Sequence, residues 1–278
     1  MEKVSSDLIL TRIREALEAA GETLSRFVPG AVVAVEKSSG RGPVTEADHA
    51  VNRVLRKTLV RDEEGWLSEE SVDDLTRLSK KSVWVVDPLD GTQEFVAGIP
   101  EWCVSIAWVE QGRAVAGGIY NPAKQELFMG TRATGVTLNG KPVQASQRTS
   151  LTGALVLASR SEVKRGEWDT LENAPFVVRP TGSVAYKLAL VSAGLADATW
   201  TLSPKNEWDV AAGVALVESS GGFALSLANR PLAFNRKSSH LSGLVAGGLA
   251  LRKPITRFLR DYHGSVVAVA GGNHRPGR

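Results

Sequence analysis

Cysteine is almost missing from this sequence: Cys103 is the single one in 278 residues. One thiol excludes an intrachain disulfide and any zinc site built on cysteine. Cys103 lies in the apolar run 103–109, which reads as buried filler. The four histidines, His49, His240, His263 and His274, lack the spacing of a zinc-ligand set. No apolar run approaches the ~18 residues that would cross a bilayer, so no membrane-spanning helix is expected. The first 21 residues are amphipathic and acidic, unlike a secretory leader, and a cytoplasmic protein is the expectation. Neither a Gly-x-Ser-x-Gly elbow nor a P-loop is present. Ser161-Glu162-Val163-Lys164 fits Ser-x-x-Lys but lacks the partners that a serine hydrolase of that kind requires.

What is there suits a folded body. Hydrophobic residues make up 43% of the chain, enough to bury a sizeable core. The formal charge is +3, which raises the question of nucleic acid. Six of the 33 basic residues (Arg252, Lys253, Arg257, Arg260, Arg275, Arg278) and one of the 30 acidic ones, Asp261, fall within 251–278. The remainder carries 27 basic against 29 acidic residues and is nearly neutral. The excess reads as a solvated terminal helix and tail, so neither a nucleic-acid nor a membrane partner is expected.

Periodicity predicts a helix with Leu8, Ile9, Ile13, Leu17 and Ala20 on one face, stopped at Gly21. A second helix should follow Thr45 and run to about 60, with Val51, Val54, Leu55 and Leu59 on one face. An apolar strand over 83–86 should end at Asp87-Pro88. Runs over 103–109 and 114–120 read as a hairpin, and 127–131 and 136–138, with the turn Asn139-Gly140, continue an antiparallel sheet. The polar stretch 144–150 suggests a join, giving halves 1–146 and 147–278. The second half should hold strands over 154–158, 176–178 and 198–202, helices over 184–193 and 208–219, two more strands and a last helix over 249–262. Antiparallel runs interleaved with helices argue for a layered α+β fold rather than a doubly wound parallel sheet.

The densest acidic constellation is Glu69-Glu70 followed by Asp87-Pro88-Leu89-Asp90-Gly91-Thr92. A tight turn there can bring two carboxylates and a carbonyl to one point, the donor set a hard cation prefers. The backbone amides at Gly91-Thr92 can receive a phosphate oxygen. A plain Asp-Pro turn closing a strand is the competing reading. Asp209 opens an apolar helix, where capping alone accounts for a carboxylate. Thr45-Glu46-Ala47-Asp48 likewise fits a capping box.

Together these segments resemble the inositol monophosphatase superfamily of metal-dependent, lithium-sensitive phosphatases. Residues 84–92 resemble its first signature, Trp208-Asp209 through Gly221-Gly222 its second, and Ser68-Glu69-Glu70-Ser71 its Glu-Glu element. Lys37 with Val44-Thr45-Glu46-Ala47-Asp48 resembles its N-terminal element, so the likeness runs from about 37 to 222. The resemblance implies an α/β/α/β/α sandwich and a Mg²⁺-dependent phosphomonoesterase acting on a small phosphorylated metabolite. It implies one metal on Glu69, Asp87 and the Leu89 carbonyl, and a second on Asp87, Asp90 and Asp209. A third, weaker metal is common in the family. The Gly91 and Thr92 amides would seat the phosphate, with Asp90 beside the substrate. Asp48 and Thr92 would orient the attacking water, with Glu69 assisting. A homodimer is left open.

Departures bear on substrate. Inositol-specific members carry a glutamate seven residues before the second-signature aspartate, where this chain has Leu202. Leu89 with Glu94-Phe95 is more similar to the 3'(2'),5'-bisphosphate nucleotidase branch, which removes the 3'-phosphate of adenosine bisphosphates. Arg179, Tyr186, Lys187 and Lys205 are the residues available to meet a second phosphate or a base, Leu202 to face a ring. The alternatives are an inositol-1-monophosphatase or broad sugar phosphatase and, more distantly, a catalytically silent metabolite-binding protein.

Overall fold

The strands at the centre of the molecule bury both faces, and their sequences alternate between two cores. Val83 and Val85 enter one hydrophobic cluster while Trp84 and Val86 enter another. On the neighbouring strand Cys103, Ala107 and Val109 join the first cluster, and Val104, Ile106 and Trp108 the second. A period of two with apolar residues on both faces requires a layer on each side. Each fully buried aliphatic side chain contributes about 1.5–3 kcal/mol relative to exposure.

The computed structural model describes residues 5–36, 43–61, 63–171, 173–201 and 203–271, with side chains as far as 261. In chain order come α1 (Ser6–Leu24), β1 (Ala34–Glu36), β2 (Pro43–Thr45), α2 (Glu46–Leu59), β3 (Gly65–Ser68), β4 (Ser82–Asp90) and α3 (Thr92–Val96). Then come β5 (Cys103–Glu110), β6 (Arg113–Asn121), β7 (Glu126–Thr131), β8 (Gly135–Leu138), β9 (Lys141–Val143), β10 (Leu155–Ser159) and α4 (Arg160–Lys164). The chain continues with β11 (Val177–Thr181), α5 (Val184–Ser192), β12 (Ala198–Thr201), β13 (Lys205–Asn206) and α6 (Glu207–Ser219). It closes with β14 (Gly222–Ser226), β15 (His240–Leu241), β16 (Leu244–Gly248) and α7 (Arg252–Gly271).

Seven strands in the order β3-β4-β5-β6-β7-β8-β9 form one sheet, and five in the order β11-β10-β12-β16-β14 form the other. The first is antiparallel apart from the β3–β4 pair. The second is mixed, with β10 parallel to both β11 and β12. Helices α1 and α2 cover one face of the seven-stranded sheet through Ile13, Leu17, Val51 and Leu55. Helices α5 and α6 lie between the two sheets. The outer face of the five-stranded sheet packs on Leu251, Ile255 and Leu259 of the C-terminal segment. These are the five layers α/β/α/β/α expected above.

Several boundaries differ from expectation: the last helix spans Arg252–Gly271 instead of 249–262, and two others have a packing reason. Gly21 lies inside α1, which runs on to Leu24. A Cβ at Gly21 would sit 2.8 Å from Tyr120 Cε1, so this glycine permits close approach of helix and sheet instead of stopping the helix. Strand β4 does not end at Asp87-Pro88 but runs to Asp90. Asp87 pairs with Ser105 and Asp90 with Cys103, so three steps on β4 oppose two on β5. This bulge reverses the facing of the residues after it. In a regular strand Asp87 and Asp90 would point to opposite sides; the extra residue returns both to the face that meets α5 and α6.

Candidate active site

The C-terminal end of β4, the loop after β3 and the first turns of α3, α5 and α6 meet at a cleft of about 250 Å³. Oxygens of Glu69, Asp87 and Asp209 lie within 4.8 Å of one another there. Three carboxylates at that distance repel by about 3 kcal/mol per pair at an effective dielectric near 20. The set consists of hard oxygen donors, which fits magnesium. Asp87 is 1% exposed, and the Leu89 amide donates to its Oδ1 at 3.0 Å. Burial, with Glu69, Asp90 and Asp209 as like-charged neighbours, pushes the Asp87 carboxyl well above the usual carboxylate range. The same causes, burial first and then Asp90 and Glu69, push Asp209 up to about 8. Such an array calls for a cation.

Each carboxylate is held by local structure. Glu69 follows β3, and its amide donates to the Val86 carbonyl at 3.4 Å. Asn52, one helical turn beyond Asp48 on α2, accepts from Ser68 Oγ at 2.8 Å and donates to the Glu70 carbonyl at 3.1 Å, so α2 fixes this loop. Asp209 sits at the third position of α6 and accepts the Asn206 amide at 2.7 Å in a capping box. Capping and membership of the carboxylate cluster therefore coexist in one residue. Asp90 lines the cleft, with its Oδ2 accepting from Ser183 Oγ and the Ala185 amide, both at 2.6 Å. Burial raises the Asp90 pKa, and these two hydrogen bonds, with Lys187, oppose the rise.

Asp48 divides its two oxygens. Oδ2 accepts from the Thr45 amide at 2.8 Å and from Thr45 Oγ1 at 2.6 Å, closing the capping box of α2. Oδ1 lies 3.0 Å from Thr92 Oγ1, whose hydroxyl is also 3.0 Å from the Leu89 carbonyl. Burial raises the Asp48 pKa against the lowering effect of the Thr45 and Thr92 contacts. Between Asp90 and Thr92, Gly91 has φ 97°. A Cβ there would stand 2.9 Å from the Glu101 carbonyl oxygen, so the turn that presents Thr92 admits only glycine without strain.

Lys187 and Lys205 line the same cleft. Lys187 Nζ donates to the carbonyls of Thr181 and Ser183 at 3.2 and 3.0 Å. Burial is the main reason its pKa falls to about 8. Lys205 Nζ lies 4.0 Å from the fully buried Glu162. Arg179 and Tyr186, expected near the substrate, line a separate cleft of about 420 Å³ with Lys124 and Glu126. Tyr186 donates its hydroxyl to Glu126 Oε2 at 2.6 Å. Adjacent helical residues point about 100° apart, and α5 turns Lys187 toward the carboxylate cleft and Tyr186 toward the other. Leu202 and Lys37 lie outside the described residues.

Several residues that shape the cleft were not singled out by sequence: Asn52, Ser183, and Glu101, which takes Arg160 Nη2 at 2.5 Å and the Gly182 amide at 2.7 Å. For Asn52 a signal existed, since it stands four residues after Asp48 on the same helix face. Ser183, with φ 54°, carries no such mark.

A model of the inositol monophosphatase family matches residues 6–256, wider than the 37–222 read from motifs. Over 226 residues the chain is 34% identical to a Nus factor SuhB of Pseudomonas aeruginosa, covering 74% of this chain and 81% of that protein. It is 35% identical over 227 residues to an inositol-1-monophosphatase of Mesorhizobium japonicum, covering 77% and 84%. The solved Thermotoga maritima IMPase superposes with a TM-score of 0.78 at 25% identity, covering 94% of this chain and 99% of that one. No described helix is long and apolar enough to cross a membrane.

Proposed function

The chain belongs to the inositol monophosphatase family, whose members are magnesium-dependent phosphatases, and from that premise we propose that its substrate carries a second anionic group besides the phosphate removed. The favoured substrate is adenosine 3',5'-bisphosphate, hydrolysed to AMP and phosphate. The observation that carries this reading is that Lys187 and Lys205 line the same cleft as Glu69, Asp87 and Asp209. A cleft holding only carboxylates would serve a monophosphate; two ammonium groups beside them suit an anion that stays on the product.

In this reading Glu69, Asp87 and the Leu89 carbonyl would hold one magnesium ion, and Asp87, Asp90 and Asp209 would hold a second. Asp90 would be held in place for this role by Ser183 and Ala185, which both donate to its Oδ2. When bound, magnesium supplies the positive charge that neutralises the phosphate and acidifies the attacking water. The Gly91 and Thr92 amides seat the phosphate. Thr92 Oγ1 donates to Asp48 Oδ1 and so keeps its lone pairs for the water, with Glu69 assisting. A group that orients water acts on the transition state more than on substrate binding. We place the protein in the cytoplasm and expect inhibition by lithium.

Inositol 1-phosphate is the second reading, favoured by the relatives named inositol-1-monophosphatase. Rates with Mg²⁺ on adenosine 3',5'-bisphosphate, inositol 1-phosphate and fructose 1,6-bisphosphate test the proposal. We expect the largest kcat/KM on the nucleotide. A preference of ~10-fold or more for inositol 1-phosphate, about 1.4 kcal/mol in the transition state, overturns it.

A further inference from the structure

Two buried charged side chains outside the cleft converge on one short segment, 234–236. The first is Arg77, 1% exposed, in the turn Thr76–Ser79 between β3 and β4. Its guanidinium pairs with Asp73 through Nε at 3.1 Å and Nη2 at 2.8 Å. It also donates from Nη1 to Asn235 Oδ1 at 2.7 Å and from Nη2 to the Arg236 carbonyl at 2.9 Å. Asn235 Nδ2 returns a bond to the Arg77 carbonyl at 3.3 Å. The second is Glu207, 0% exposed, the first residue of α6. Its carboxylate accepts the Asn235 amide at 2.6 Å and the Arg236 amide at 3.0 Å.

The positions of these residues give the network its meaning. Arg77 stands on the connection that leaves the Glu69 loop and returns to β4. Glu207 stands two residues before Asp209. Segment 234–236 thus ties the chain that carries Glu69 to the helix turn that carries Asp209, and the Phe234 amide adds a bond to the Gly112 carbonyl at 2.9 Å, in the turn between β5 and β6. Asn235 has φ 55°, a backbone state that asparagine tolerates, and it lets both the amide and the side chain of one residue serve the two charged partners. Like charges at Glu69, Asp87 and Asp209 push α6 away from the β3 loop. A part-buried hydrogen-bonded link between those elements, anchored on the buried Arg77 and Glu207, opposes that push and keeps the oxygens assembled before a cation arrives.

We infer that Arg77, Asn235 and Glu207 form a clamp that fixes the first turn of α6 against the Glu69 loop and thereby sets the affinity of the carboxylate site for its cation. These are positioning residues, and the inference rests on the reading of Glu69, Asp87 and Asp209 as a magnesium site.

The test is calorimetric titration of the substrate-free protein with Mg²⁺. Glu207→Gln places an amide donor against a backbone amide. Asn235→Gly keeps the backbone conformation and the amide bond to Glu207 but cuts both side-chain bonds to Arg77. Glu64→Gln is the control: it weakens the buried pair with Arg12, whose nitrogens lie 2.7 and 2.6 Å from the Glu64 oxygens, at the far end of β3. We expect Mg²⁺ affinity to fall ~10-fold or more in both clamp variants and to hold in the control. With saturating Mg²⁺ the variants should recover kcat to within about twofold of the parent. Equal Mg²⁺ affinity in parent and clamp variants, with melting temperature lowered alike in all three, overturns the clamp. Should Glu207→Gln fail to fold, Asn235→Gly decides alone. A parent protein that takes up no Mg²⁺ instead overturns the magnesium reading itself.

Discussion

Thr92 Oγ1 lies 3.0 Å from Asp48 Oδ1, joining the first turn of α3 to the first turn of α2 across 44 residues of sequence. The other oxygen of Asp48 caps α2, so the two readings of this aspartate, cap and active-site group, describe two oxygens of one side chain. The two residues therefore predict different phenotypes. Thr92→Ala should lower kcat by ~10²-fold with KM within a fewfold and with melting little changed. Asp48→Ala should lower kcat similarly and also cost about 1 kcal/mol through the lost cap. Kinetics and melting curves on both variants check this; unchanged kcat in Asp48→Ala would reduce that residue to a helix cap.

How much of this was legible in sequence depended on whether the signal was local. The helix start at Thr45, the hairpin at 111–112 and the apolar strands declare themselves through a cap, turns and period two. The bulge at Asp87–Asp90 did not, because Asp-Pro reads as a stop unless the register against Ser105 and Cys103 is known. Arg77 and Glu207 were equally hidden: a charged residue signals burial only through partners more than 150 and nearly 30 residues away, as Asn235 and Arg236 are here. Motif order located the carboxylates. It could not separate Lys187 from Tyr186, since which of two neighbours faces the cleft depends on how α5 is rotated.

Gly91→Ala should be severe for its size. At φ 97° an L side chain is strained by about 1–2 kcal/mol, and the new Cβ would stand 2.9 Å from the Glu101 oxygen and 3.1 Å from Trp102 Cα. The turn must shift, taking Thr92 with it. We expect kcat to fall at least ~10²-fold. Wild-type kcat in this variant would remove the turn from the mechanism.

Lys205→Met keeps the length of the stem and removes the charge. If Lys205 meets the phosphate that remains on the product, KM for adenosine 3',5'-bisphosphate should rise ~10-fold, with kcat little altered and inositol 1-phosphate turnover unaffected. Parallel steady-state assays decide; equal losses on both substrates would assign Lys205 a general structural role through Glu162.

The carboxylate cluster should make the metal-free protein less stable as pH rises. Asp87 is held well above its ordinary value of 3.8, and Asp209 is raised to about 8. Between those limits the folded protein keeps protons that the unfolded chain has released. The folded state then binds more protons, and stability falls with rising pH. Below the ordinary value both states are protonated, and above the folded value both are ionised, so the loss is confined to this window. Lys187, lowered from 10.5 to about 8, acts only above it and in the opposite sense, because there the folded amine is neutral while the unfolded one is still charged. In chelator, the melting temperature should therefore drop from pH 5 to pH 8, and Asp209→Asn should flatten the drop. Magnesium favours the ionised carboxylates, so saturating Mg²⁺ should abolish most of the slope. Binding at pH 7 should also release protons, seen as a dependence of the titration heat on the ionisation enthalpy of the buffer. A melting temperature in chelator that stays level from pH 5 to 8 would mean that Asp87 and Asp209 do not hold protons in the folded state, and that the cluster relaxes apart when the cation leaves.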